Sequence, residues 1–323
     1  MGLAEADDEL RSYYAQQYPH LPVYQTSAEL YDRGRPEAII TCADNQSAAD
    51  VVADAARRGV HVMKEKPMAA TLTLADRMLT AAARGHVRLM VNWATNWQPA
   101  VHEARRLIEA GEIGRVWQVH NRAGHGGPPP DYATRGPVSR VGWGWLIERE
   151  QNGGGAYVDF CSYGAVLSRW IMGQPSRVVA IGGRYAKDFF TVEDNAILIL
   201  GYARGHSVCE GTWTQPAAAV RTPLMIYGTE GSIAVTGASE LIVATRPNGG
   251  QPVEPRVIQC PALPAHWQNG PSYFVHQLLT EQPFEGIVDA EISRDAQEIL
   301  DAGLLAMEGG KEVSLPLKAF LTA

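Results

Sequence analysis

The chain has 323 residues, 46% of them hydrophobic and 20% charged, and a formal net charge of −7. That balance describes a globular chain with room for two domains. It excludes a basic nucleic-acid binder, since no Lys/Arg-rich run occurs, and no apolar stretch approaches the roughly eighteen residues of a membrane span.

The start, MGLAEADDELRSYY, is acidic and lacks the basic lead and apolar centre of a signal peptide, so a cytoplasmic location is expected. The four cysteines (Cys42, Cys161, Cys209, Cys260) are far apart and unpaired in pattern, as expected of reduced core thiols. His120 and His125 make no convincing metal-ligand spacing, and no metal is expected.

From residue 38 the chain alternates strands and helices. AIITCA (38–43) is a β-branched strand, SAADVVADAARRG (47–59) a helix ending on glycine, and HVMKEKP (61–67) the next strand. LTLADRMLTAAARG (72–85) is a second helix and VRLMVNW (87–93) a third strand. This is half of a doubly wound α/β sheet. A linking helix over 99–114 has proline in its first turn. Beyond it, candidate strands at 115–124, 176–186, 195–203, 206–214, 222–237 and 240–247 follow one another with few helices between, which predicts an α+β unit with a mostly antiparallel sheet. Helices over 155–172 and 290–310 complete it. The division expected is 1–97 and 98–323.

Ligands of open α/β sheets lie at the carboxyl ends of the strands. Glu65 and Lys66 stand at such an end, and Pro67 stops the ladder, so Lys66 is either a solvated strand terminus or an ammonium able to polarise a substrate oxygen. In NGGGAYVDFCSYG (152–164), Asp159 and Tyr163 are four apart and share one face of a helix. They make either a capping acid beside an amphipathic ring or a proton relay, whose tyrosine Lys66 could activate by lowering its pKa. Trp93, Trp97, Trp143 and Trp145, with Asn92, Asn96 and His125, suit the faces and hydroxyls of a sugar, and suit an inter-domain core equally well.

EKPMA after two strand–helix units, the helix PAVHEARRLIEAGEIGRVWQV, GGGAYVDFCSYG, YGTEGSIAV and the closing RDAQEILDAGLLAMEGGKEVSLPL together resemble the Gfo/Idh/MocA oxidoreductase family. The resemblance implies hydride transfer between NAD or NADP and a sugar, cyclitol or related polyol. It makes Lys66, Asp159 and Tyr163 the catalytic set. By position it puts Lys66 against both substrate and cofactor; the candidate cofactor residues are then Cys42, Asn45, Glu65 and Lys66, and the candidate substrate residues Asn92, Trp93, Trp97, His125 and Trp143. It also implies a homo-oligomer, since the family's open sheet face commonly packs on another subunit.

The family opens with a strand and a G-x-G-x-x-G loop, and this sequence contains no G-x-G-x-x-G. MGLAEAD resembles the tail of the family's second strand, with Asp7 or Glu5 near the ribose position. The expectation is therefore an incomplete parallel sheet, in either a shortened version of a longer gene product or a real variant with two exposed strand edges. Two further readings stay open: a cofactor-independent lyase, hydratase or isomerase using the same residues, and a non-catalytic sugar-binding subunit.

Overall fold

The computed structural model describes residues 1–215, 224–246 and 254–317. The parallel strands of the first unit fall into two separate sheets. β1 (Leu3–Ala4) pairs with β2 (Val23–Tyr24) across the Asp8–Gln17 helix. β3 (Ala38–Thr41), β4 (His61–Glu65) and β5 (Leu89–Asn92) form a three-stranded sheet in that order. Ile40 of β3 is 50% exposed, unlike a residue in the middle of a covered parallel sheet. The incomplete sheet read from the sequence is what the chain forms.

Alternation along the strands decides which face meets what. Val62, Leu89 and Val91 enter the main core with the Ala48–Arg57 and Leu72–Gly85 helices. Met63 and Met90 face the other way, onto Tyr273 and Phe274 of the Gly270–Leu279 helix. That late helix was not anticipated from the sequence, and it covers the three-stranded sheet. The Ala290–Gly309 helix returns likewise, with Arg294 donating to Asp76 at 2.7 Å and the Leu72 amide to Asp301 at 2.7 Å. Residues 270–309 therefore belong in space partly to the first unit.

Among the described residues the third sheet has nine strands. β6 (Val116–Gly124) lies centrally, parallel to β9 (Gly205–Thr212); every other neighbouring pair is antiparallel. Outward from β9 come β8 (Asn195–Tyr202), β7 (Arg177–Gly183) and β14 (Val313–Ser314). Outward from β6 come β10 (Leu224–Gly228), β11 (Gly231–Gly237), β12 (Glu240–Thr245) and β13 (Arg256–Gln259). Val178, Ala180, Leu198 and Leu200 are buried while Val179, Ile181, Ile197 and Ile199 are exposed, so one face is packed and the other open. Residues 222–223 and 247 of the anticipated strands lie outside the described residues. β13, β14 and the Asp8–Gln17 and Pro137–Gly144 helices were not anticipated.

Candidate active site

β4 ends at Glu65 and delivers Lys66 beyond the sheet edge. The helix that meets it begins irregularly. Gly155 has φ +58, and a Cβ there would strike the Glu193 carbonyl and the Val192 side chain, so only glycine fits the turn. Asn152 Oδ1 accepts the Gly154 and Gly155 amides at 3.1 and 2.5 Å, and a π-helical turn, Tyr157–Cys161, then runs into the Ser162–Met172 helix. The wide turn brings Asp159 and Tyr163 together at Lys66.

Lys66 Nζ donates to Asp159 Oδ1 at 2.5 Å and stands 5.0 Å from the Tyr163 ring centre and 5.6 Å from that of Phe160. The other carboxylate oxygen, Oδ2, accepts from Trp213 Nε1 at 3.0 Å. Asp159 is thus held from both sides. Burial pulls the Lys66 ammonium down, but Asp159, Tyr163 and Glu65 outweigh it and hold its pKa above the ordinary lysine value. Burial raises the Tyr163 phenol; Lys66 pulls it back, Asp159 and Glu65 push it further, and the net direction is up. That corrects the expectation of a lowered tyrosine, because desolvation of the phenolate outweighs one nearby cation.

The other anticipated residues divide. Asn92 Nδ2 donates to Glu65 Oε1, and Trp97 Nε1 donates to Asn92 Oδ1 at 2.8 Å, a chain that orients Glu65. Trp93 is 1% exposed, gives its N–H to Ser293 Oγ at 3.0 Å, and sets its ring edge-on to Tyr163 at 5.4 Å. It supports the tyrosine from behind and is closed to a substrate. His125 lies edge-on to Phe160 at 5.0 Å and to Trp143 at 5.8 Å, beside the cluster. Cys42 is exposed rather than a core thiol; Cys161, Cys209 and Cys260 are buried and free. Asn45 is fully buried, its Nδ2 donating to the Asn152 carbonyl at 2.9 Å. It ties the loop after β3 to the turn before Asp159 and has no exposed surface for a cofactor.

Two residues escaped the sequence reading. Trp213 carried no signal beyond an aromatic at a strand end. Lys64 could have been found by alternation, since it shares a face with Val62. It is 1% exposed, donates to the Glu65 carbonyl at 2.8 Å, and burial pushes its pKa down to about 8. Among the described residues no group of three or more His, Cys, Asp or Glu side chains is arranged to hold a metal.

Two family models match: the oxidoreductase family NAD-binding Rossmann fold over residues 5–93, and the GFO/IDH/MocA C-terminal domain over residues 101–234. Together they take in well over half of the chain. The chain belongs to the Gfo/Idh/MocA oxidoreductase family.

Among relatives within this family, D-xylose 1-dehydrogenase [NADP(+)] of Haloarcula marismortui is 26% identical over 81% of this chain and 72% of its own. Levoglucosan dehydrogenase of Pseudarthrobacter phenanthrenivorans is 24% identical over 72% and 63%. The matches to the rhizopine catabolism protein MocA of Rhizobium meliloti and the 2,7-anhydro-N-acetylneuraminate hydratase of Mediterraneibacter gnavus span only about half of those proteins, 44% and 53%. In fold, the chain superposes on aldose-aldose oxidoreductase from Caulobacter crescentus with a TM-score of 0.79, at 22% identity, covering 97% of this chain and 91% of the other.

The Gfo/Idh/MocA family is NAD-binding, and the described residues fit one end of that cofactor. Lys66 and Glu65, at the carboxyl end of a parallel strand, fit the nicotinamide end. The diphosphate end finds no cradle among the described residues. Asp7 caps the Asp8–Gln17 helix, Asp44 takes the Gln46 and Ser47 amides, and Thr71 caps Leu72–Gly85, so these three helix N-termini of the first unit are already answered, two of them by acids. Asp7, expected near the ribose, is also paired with Arg140 at 2.8 Å, and Glu5 accepts the Asp7 amide.

Proposed function

We propose that this chain transfers a hydride between NAD or NADP and a hydroxyl-bearing carbon of a sugar, cyclitol or related polyol, with Lys66 and Tyr163 handling the proton. The observation that carries the reading is the placement of Lys66 Nζ between the Asp159 carboxylate and the Tyr163 ring. Relatives named as xylose and levoglucosan dehydrogenases support the substrate class. When bound, the nicotinamide supplies the hydride acceptor or donor.

The chain's own residues would move the proton. Tyr163, held as the phenol, donates to a carbonyl oxygen in the reducing direction, and charged Lys66 steadies the phenolate that remains. In the oxidising direction the phenolate of Tyr163 takes the hydroxyl proton, and because burial raises the phenol's value that form grows in only as pH climbs past the ordinary tyrosine range. Asp159 keeps Lys66 in place and charged. We read the protein as a cytoplasmic homo-oligomer. A second reading, water addition or elimination with the same proton groups, is favoured by the relative named as a hydratase.

The test uses purified chain with NAD⁺ or NADP⁺ and D-xylose, levoglucosan or myo-inositol, followed by nicotinamide absorbance. Reduction of the nicotinamide is expected. Tyr163→Phe should lower kcat by roughly 100- to 10,000-fold. Wild-type turnover in that variant would overturn the proton role, and turnover without any nicotinamide would favour the second reading.

A further inference from the structure

We propose that His125 is a specificity-determining residue, locked by the Gly127 amide into the tautomer that presents Nε2–H to an acceptor oxygen of the substrate. The substrate half of this rests on the sugar reading above; the tautomer does not.

The lock follows from where two strands end. β6 and β9 run parallel with Gly124 opposite Thr212, and the His125 amide donates to the Thr212 carbonyl at 3.1 Å. The chain then turns through Gly127, at φ +66, where a Cβ would stand 2.5 Å from the Trp213 Cβ. Glycine is therefore required, and the turn is fixed against the tryptophan that holds Asp159. Within it the Gly127 N–H donates to His125 Nδ1 at 2.7 Å. A ring nitrogen that accepts carries no proton, so the neutral ring bears its proton on Nε2. Lys187 Nζ closes the same turn from the other side, donating to the Gly126 and Pro128 carbonyls at 2.5 and 2.9 Å.

The charged groups that face the ring are Asp159 on the π-helical turn, Lys66 beyond β4 and Lys187 on the 184–194 segment. The Pro137–Gly144 helix contributes only the uncharged Trp143. Burial, with Lys66 and Lys187, keeps His125 below the ordinary histidine value against the pull of Asp159. The ring is neutral at neutral pH and donates only through Nε2. Each oxygen of Asp159 already accepts one hydrogen bond, and beside it His125, Lys66 and Tyr163 can all donate to a ligand oxygen. Such a set selects a carbonyl, ring ether or carboxylate oxygen and disfavours an amine.

The tautomer is read directly by long-range ¹H–¹⁵N correlation on histidine-labelled full-length chain at neutral pH, with His125 assigned by its loss in His125→Asn. A bare Nδ1 and a protonated Nε2 are expected; an Nδ1–H tautomer or a charged ring overturns the proposal. His125→Asn also separates the two roles. Asparagine can accept the amide two residues on and so keep the turn, but it loses the Nε2–H. Amide exchange at Gly127 should stay at the wild-type rate while KM for the sugar that is turned over rises roughly two- to tenfold, the range for one neutral hydrogen bond, with kcat little changed. An unchanged KM with the turn intact would defeat the donor role. If no sugar is turned over by the wild type, the functional reading fails while the tautomer measurement still decides this one.

Discussion

Lys64, on β4, and Lys66, just past its end, lie two residues apart and have opposite fates. Lys66 meets a carboxylate; Lys64 meets a single carbonyl and is otherwise desolvated. Its drop from 10.5 to about 8 is about 2.5 units, or roughly 3 kcal/mol at ~1.4 kcal/mol per unit. The unfolded chain holds the Lys64 proton up to its higher pKa. The cost of burial is therefore complete below about pH 8 and fades as pH rises toward 10.5. Lys64→Met should stabilise the protein by roughly 2–3 kcal/mol at neutral pH in urea unfolding, with the gain shrinking between those two values. A gain that does not vary with pH would mean that packing rather than charge burial sets the difference.

At the scale of the element, the π-helical turn at Tyr157–Cys161 does what a regular helix start could not. It opens on Gly155, held by Asn152, and the Asn152 carbonyl is tied to Asn45 of the other unit. One asparagine pair thus sets where Asp159 stands relative to Lys66. Gly155→Ala must accept a positive φ and press a methyl group against the Glu193 carbonyl. It should cost at least ~2 kcal/mol in stability and lower kcat more than it raises KM, because Asp159 moves relative to Lys66. Calorimetry with steady-state kinetics checks it, and a variant as stable and active as wild type would show that the turn is not tightly set.

At the scale of the whole molecule, the open face of the nine-stranded sheet is apolar where β7 meets β8. Ile181 pairs with Ile197 and Val179 with Ile199, and Ile181 is 70% exposed. Four adjacent apolar side chains in water on one sheet face are what the proposed homo-oligomer would cover. The wild type should run as a homo-oligomer in light scattering at micromolar concentration. Ile181→Lys should shift it toward monomer while altering monomer stability by no more than ~0.5 kcal/mol. A monomeric wild type would remove the argument.

The strand and helix periods of residues 38–93 were legible in the residues, while the family motifs made one set of Lys66, Asp159 and Tyr163, which the residues alone had left open. Each depends on local spacing or on a motif that keeps its chemistry. Trp213 at Asp159, the Asn45–Asn152 tie and the late helix over Met63 and Met90 were decided only in three dimensions. They join residues far apart in the chain, and no local period encodes such a contact. The direction of the Tyr163 shift belongs with them. The motifs suggested a cation near the phenol, but how much water the fold removes around that ring is a property of the packed molecule, and desolvation won.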